Sequence, residues 1–276
     1  MSPRDRLLAL AVLFVSTACA GTAAAPSGLA FGPTAAPLKY QVRGYGTMDI
    51  DTPMGSMHTV DTLQATVRLE IGAPTADGWG MTAVFEDLMA AAGGDMGSER
   101  VEGGELIGRQ FTGVLNRDGI IEIISAPPIP VGLSDVVDPR SVLAELLGPL
   151  PADPATSEPW PVRTVVTAET AVAIASTFEG TARVVGDTVW NGQPAKLIVA
   201  EGSYVAEGSG MPMGAPGEIT LEMSGTSTRR YIWDAMRGVM LFAEVTLDVD
   251  GPITVAAMNM SMDAALTNRQ TVELER

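Results

Sequence analysis

Apolar and polar residues alternate along most of the chain. In Thr62–Ile71 (TLQATVRLEI), Leu63, Ala65, Val67, Leu69 and Ile71 fall on one face, and Thr62, Gln64, Thr66, Arg68 and Glu70 on the other. Period two with one polar face predicts a half-buried β-strand. Ile219, Leu221 and Met223 alternate with Glu218, Thr220 and Glu222 in the same way. So do Ala243, Val245, Leu247 and Val249 with Glu244, Thr246, Asp248 and Asp250. Between such stretches stand hairpin signals. Asn191-Gly192 is a type I′ pair, and Asn116–Gly119 (NRDG) and Asp250-Gly251 are turn sequences. The "DVDG" at 248–251 has the start of a calcium loop but not its remaining ligands at their spacing.

One helix is signposted. Asp138 can cap it, Pro139 suits its first position, and Gly148-Pro149 stop it. Val142, Leu143, Leu146 and Leu147 form its apolar stripe, and a Pro-rich passage follows over 149–161. The halves on either side, 38–130 and 160–276, share an outline of strand, polar turn, glycine and strand. It appears in VLNRDGIIEI (Val114–Ile123) and in IWDAMRGVMLFAEV (Ile232–Val245), which suggests a duplication within one continuous sheet. A sheet with one apolar face must cover that face. Long meandering strands with a single helix predict a mainly β fold: an antiparallel meander forming a curved half-barrel or barrel, with one short helix near 138–148.

The first residues have the three-part pattern of a secretory signal: Arg4 and Arg6, the apolar run Leu7–Val15, then small residues up to Cys19-Ala20. The run is short of the ~20 residues that span a bilayer. Two processing readings stand side by side: lipidation of Cys19 as a new N-terminal cysteine, or cleavage at Ala18-Cys19-Ala20. Ser16 stands where a lipobox usually has Leu, but Cys19 is the only cysteine and sits at the signal's end. An exported domain without another cysteine has no disulfides and rests on its core. The expected organisation is a signal peptide over 1–19, a flexible uncharged tether over 20–37, and one β-rich domain over 38–276.

Composition removes several functions. With 33 acidic against 17 basic residues, a formal net charge of −16, the surface repels nucleic acid and anionic headgroups. His58 is the lone histidine, so a Ser-His-Asp triad would depend on it, and no nucleophile-elbow sequence is present. Zinc lacks ligands, and no phosphate-binding glycine loop follows a strand. Scattered carboxylates are the one catalytic resource left, and the sequence singles out no pair.

Methionine is the unusual component. Met54, Met57 and His58, Met211 and Met213, and Met258, Met260 and Met262 resemble the thioether sets that suit Cu(I). The last three continue an apolar stripe, from Ala256 to Leu266, opposite Ala257, Asn259, Ser261, Asp263, Ala265 and Thr267. That alternation places Met258, Met260 and Met262 on the inner face of a strand, either as packed core or as the lining of an apolar-ligand site.

The stretches LKYQVRGYGTM (Leu38–Met48), LNRDGIIEI (Leu115–Ile123), Glu158–Trp160 and YIWDAMRGVML (Tyr231–Leu241) carry a resemblance. The chain resembles a family of bacterial envelope lipoproteins defined as a domain of unknown function. Its layout is more remotely similar to lipoprotein carriers of the LolA/LolB type, which implies a curved sheet with helices around a lipid-binding hollow. The function expected is therefore a non-enzymatic cell-envelope lipoprotein, outer-membrane-anchored and facing the periplasm, that holds an apolar ligand or lipid and needs no cofactor. The alternatives are a structural or protein-interaction module of the envelope, and a periplasmic Cu(I)-binding protein.

Overall fold

The computed structural model describes residues 28–275 except 54, 96 and 212–216, so the expected signal peptide over 1–19, with Cys19, lies outside the described residues. Twelve strands form one antiparallel sheet: β1 (Leu38–Thr52), β2 (Gly55–Pro74), β3 (Gly78–Gly94), β4 (Gly97–Glu102), β5 (Gln110–Asn116), β6 (Ile121–Ser125), β7 (Trp160–Glu169), β8 (Val172–Trp190), β9 (Gln193–Gly210), β10 (Ile219–Asp234), β11 (Val239–Val255) and β12 (Met260–Leu274). The order across the sheet is β6-β5-β3-β2-β1-β12-β11-β10-β9-β8-β7, with β4 beside β3. The first and last strands pair at the centre, Tyr40 opposite Leu274 and Ile50 opposite Ala264. One meander runs outward from β1 to β6, and a second returns from β7 to β12. Among the described residues no pairing joins β6 to β7, so the sheet curls into a half-barrel rather than a closed barrel.

The link between the two edges carries α1 (Val131–Ser134) and α2 (Pro139–Ala144). α2 begins as the sequence predicts. Asp138 Oδ1 accepts from the Arg140 amide (2.9 Å), and Pro139 occupies the first turn. α1 packs on β4, and α2 on β6 and β7. Val142, Leu143, Leu146, Leu147 and Leu150 enter the main core with Tyr40, Val67, Phe85, Tyr231 and Trp233 from the sheet. The linking segment thus covers one end of the concave face.

Local signals are met where local geometry decides. The β8–β9 hairpin turns at Asn191-Gly192, both with positive φ (52° and 83°). Gly119 (φ 88°) ends the 116–119 turn with its α-carbon against the Gly148 carbonyl, where no β-carbon fits. Asp250-Gly251 is a correction. It lies inside β11, not at a turn, and Gly251 lets the strand pass close to the Glu222 carbonyl.

A second correction concerns the tether. Leu29 and Phe31 are buried. Phe31 stands edge-on to Trp233 (4.9 Å), whose indole N–H donates to the Gly28 carbonyl (3.1 Å). The Leu29 amide donates to Pro154 (3.1 Å) and the Thr34 amide to Ile71 (2.9 Å). Residues 28–37 therefore belong to the folded body, and the rest of the expected tether, 20–27, lies outside the described residues. The small, uncharged composition of 20–37 reads as linker because two apolar anchors have no periodicity to reveal them.

Candidate functional site

The concave face has two apolar zones. The zone under the linking segment is full: the void beside Tyr231, Trp233 and Met240 measures only about 10 Å³. The second zone lies toward the other end of the strands. Its buried residues are Ile50, Ala206, Met223, Val249, Ile253, Val255, Met262 and Ala264. Around them stand half-buried Met48, Met57, Ile174, Leu221, Leu247, Met260 and Leu266. No residue of the linking segment belongs to this cluster. This second zone, the apolar trough of the curved sheet, is edged by half-buried thioethers and branched aliphatics, side chains that repack readily.

The predicted methionines divide. Met262 is buried and Met260 half-buried, both on the trough. Met258 is 54% exposed, against the expectation that it faces inward. The strand begins only at Met260, opposite Val255. Residues Ala256–Met258 form a 3₁₀ turn, and Asn259 adopts a left-handed conformation (φ 46°) that closes the hairpin. A turn resets the alternation, so the parity that holds from Met260 onward does not extend to Met258.

Of the Cu(I) candidates, Met57, Met260 and Met262 belong to the second cluster. Met57 lies on the trough side of β2, whereas the next residue, His58, points to the other face. There His58 is exposed and bonds Asp49 through Nδ1 (2.7 Å). Met54 and Met213 lie outside the described residues, and Met211 is exposed. Among the described residues no group of three or more His, Cys, Asp or Glu side chains is placed to hold a metal.

A polar belt separates the two zones. Ser227 and Arg229 on β10 are both buried, facing inward two residues apart, as do Asn268 and Gln270 on β12 and Asp61 on β2. The Arg229 guanidinium lies over the Phe178 ring, 4.1 Å from its centroid. Inward-facing Gly180 and Gly202, in the row of Ser227, leave room for that ring: a β-carbon at Gly180 would meet Phe178 at 2.8 Å. Among the described residues four buried side-chain polar groups lack a hydrogen-bond partner in the protein: Trp160 Nε1, Ser227 Oγ, Arg229 Nε and Gln270 Nε2. Three of the four lie on this belt, so the shortfall is concentrated beside the trough rather than scattered.

Beside the belt, a cavity of about 380 Å³ opens between Asp135–Val137 and the sheet. Leu63, Ala90 and Ala92 line it with Asp61, Asn268 and Gln270. Through Asp61, Ala92 and Glu99 it continues into a shallower recess of about 500 Å³ that reaches Met48 at the trough's edge. Desolvation holds the Asp61 carboxyl above the usual carboxylate range.

Glu145, at the end of α2, lies near enough to Arg229 for their charges to interact. Burial pushes its carboxyl up, and the positive charge of Arg229 opposes the rise. The same burial raises the hydroxyls of Tyr204 and Tyr231, again against Arg229. An acid whose folded value exceeds its unfolded one destabilises the fold at pH values above both, and the penalty vanishes as pH falls below both. Glu145→Gln is therefore expected to raise the melting temperature at pH 7 and leave it unchanged near pH 4. Equal melting temperatures at pH 7, or a drop there, would show that the charge is compensated.

Arg229 is the residue that sequence reasoning missed. "TSTRRYIW" reads as a polar strand end, yet the parity of Ile219, Leu221 and Met223 continues through Ser227, Arg229 and Tyr231. The signal was the shared face; a charged residue in that register is inward-facing unless the register slips.

Neither a protein-family model nor a curated protein sequence matches the chain, so the resemblance to an envelope-lipoprotein family rests on its hairpin motifs alone. Among solved structures, the chain is similar to a domain from Vibrio parahaemolyticus described as an outer membrane lipoprotein-sorting protein domain. Identity is 9%, the match covers 86% of this chain and 83% of that one, and the TM-score of 0.16 is too low to carry a functional inference.

Proposed function

We propose that this protein is an exported cell-envelope lipoprotein, anchored through Cys19, whose half-barrel binds an apolar molecule or lipid tail without catalysing a reaction on it. The observation that carries this reading is the second apolar cluster. It lies on the concave face, outside the reach of the linking segment, and is fringed by half-buried side chains. Its half-buried rim of thioethers and branched aliphatics gives it side chains that can repack around a guest. The acidic exterior directs the protein away from anionic surfaces, so the anchor rather than charge would hold it at a membrane.

The binding site is tested with a neutral, apolar fluorophore, N-phenyl-1-naphthylamine. Titration should give saturable enhancement at micromolar or lower concentration. Met260→Asp places a charge on the half-buried edge of the trough, and is expected to weaken binding at least tenfold while the melting temperature stays within a few degrees. Absence of saturable binding by the unmodified protein would overturn the reading. The anchor is tested separately, by mass spectrometry of the N-terminus with and without globomycin. A diacylated Cys19 is expected, and an unmodified terminus beyond it would remove the lipoprotein part.

A further inference from the structure

The polar belt says which end of an apolar guest is charged. Ser227 Oγ and Arg229 Nε are donors, buried at 2% and 5% exposure, on adjacent inward positions of β10, and neither meets an acceptor in the protein. No ion pair among the described residues involves Arg229. Glu145 and the Tyr231 hydroxyl influence it without completing its hydrogen bonds. Its flat face is occupied by Phe178, and Nε, on the edge of the guanidinium, is a buried donor left without an acceptor. Leaving one donor of a buried cation unpaired is costly, and two neighbouring donors without an acceptor call for an anion that satisfies both.

The trough starts where these donors sit. Ser227 and Arg229 share their face of β10 with Gly225, Met223 and Leu221. Tyr204, which pairs with Gly225, packs against both apolar clusters and marks the boundary. From Ser227 to Leu221 the strand advances about 20 Å, the length of a long acyl chain.

We propose that the trough holds a single-chain anionic amphiphile of the fatty-acid class, its carboxylate accepting from Arg229 Nε and Ser227 Oγ and its chain running past Met223 toward Leu221 and Met262. This rests on the reading of the trough as an apolar-ligand site. It adds the charge and polarity of the ligand, which an apolar face alone leaves open. The overall negative charge of the protein makes the point sharper: an anion would be accepted only at a built site, not by general attraction.

The test displaces N-phenyl-1-naphthylamine from the purified protein with palmitate, hexadecanol and hexadecylamine, three chains of one length with different heads. Palmitate is expected to compete at tenfold or more lower concentration than hexadecanol, and hexadecylamine to be the weakest. Arg229→Met should bring palmitate to the level of hexadecanol with fluorophore binding retained. Should Arg229→Met fail to fold, Ser227→Ala serves, with a severalfold loss for palmitate alone. Palmitate and hexadecanol competing equally at the unmodified protein would overturn this proposal and leave the apolar site standing. Failure of the fluorophore and all three chains to bind would overturn both.

Discussion

Replacing Phe31 by alanine is expected to destabilise the fold by about 4 kcal/mol, the range for emptying a buried phenylalanine site. Phe31 is fully buried and stands edge-on to Trp233, itself buried. The ring also packs against the 116–119 turn at Gly119. Losing it opens a cavity and loosens the bonds that hold the segment: Gly28 to Trp233, Leu29 to Pro154, and Thr34 to Ile71. Urea unfolding should show a lowered midpoint with little change in slope, and limited proteolysis should cut near residue 30 in the variant first. A loss below 1 kcal/mol would mean that residues 28–37 behave as the free tether their composition suggests.

Asp138→Ala is expected to cost about 3 kcal/mol, from the loss of a cap and of several charge-assisted hydrogen bonds at once. Asp138 is buried. Its Oδ1 accepts from the Arg140 amide (2.9 Å) and from Arg140 Nε (3.0 Å). Its Oδ2 accepts from Arg140 Nη2 (3.0 Å) and from the Glu169 amide (2.9 Å). The carboxylate therefore caps α2 and ties it to the end of β7, the edge where the second meander starts. Without it the Glu169 amide is left unsatisfied and the helix loses its registration on the sheet. Asp138→Asn keeps the acceptor oxygen without the charge and should fall between wild type and alanine. Thermal or urea unfolding measures the series. Equal stability of all three would show that α2 is held by its leucines alone.

Both substitutions act at the covered end of the half-barrel, and both would change the trough only through global unfolding. Fluorophore binding by folded Phe31→Ala or Asp138→Ala should match the unmodified protein, which separates the part of the concave face that stabilises the fold from the part assigned to ligand.

The sequence by itself determined whatever depends on a few neighbouring residues. Period-two alternation placed Ala65, Val67, Leu69 and Ile71 on the buried face of β2, as found. Asn191-Gly192 specified its turn because both residues tolerate positive φ. Asp138 and Pro139 specified the start of α2 because a side-chain acceptor and a fixed φ are local requirements. Mainly antiparallel strands with one signposted helix then left few ways to hide one apolar face, and the curled half-barrel is among them. Only the tertiary structure decided the rest. The pairing of β1 with β12 joins the two ends of the domain, and nothing local encodes a partner so far along the chain. Leu29 and Phe31 became core because Trp233 and Pro154 met them there. Met258 turned outward because the hairpin closes through the 3₁₀ turn over Ala256–Met258 and left-handed Asn259, so the strand begins only at Met260. Asp250-Gly251 stayed in a strand because its neighbours on β10 and β12 supplied ladder partners on both sides. The burial of Arg229 follows from the same cause. A side chain's environment is set by what packs over its face, and that is a property of the assembled sheet.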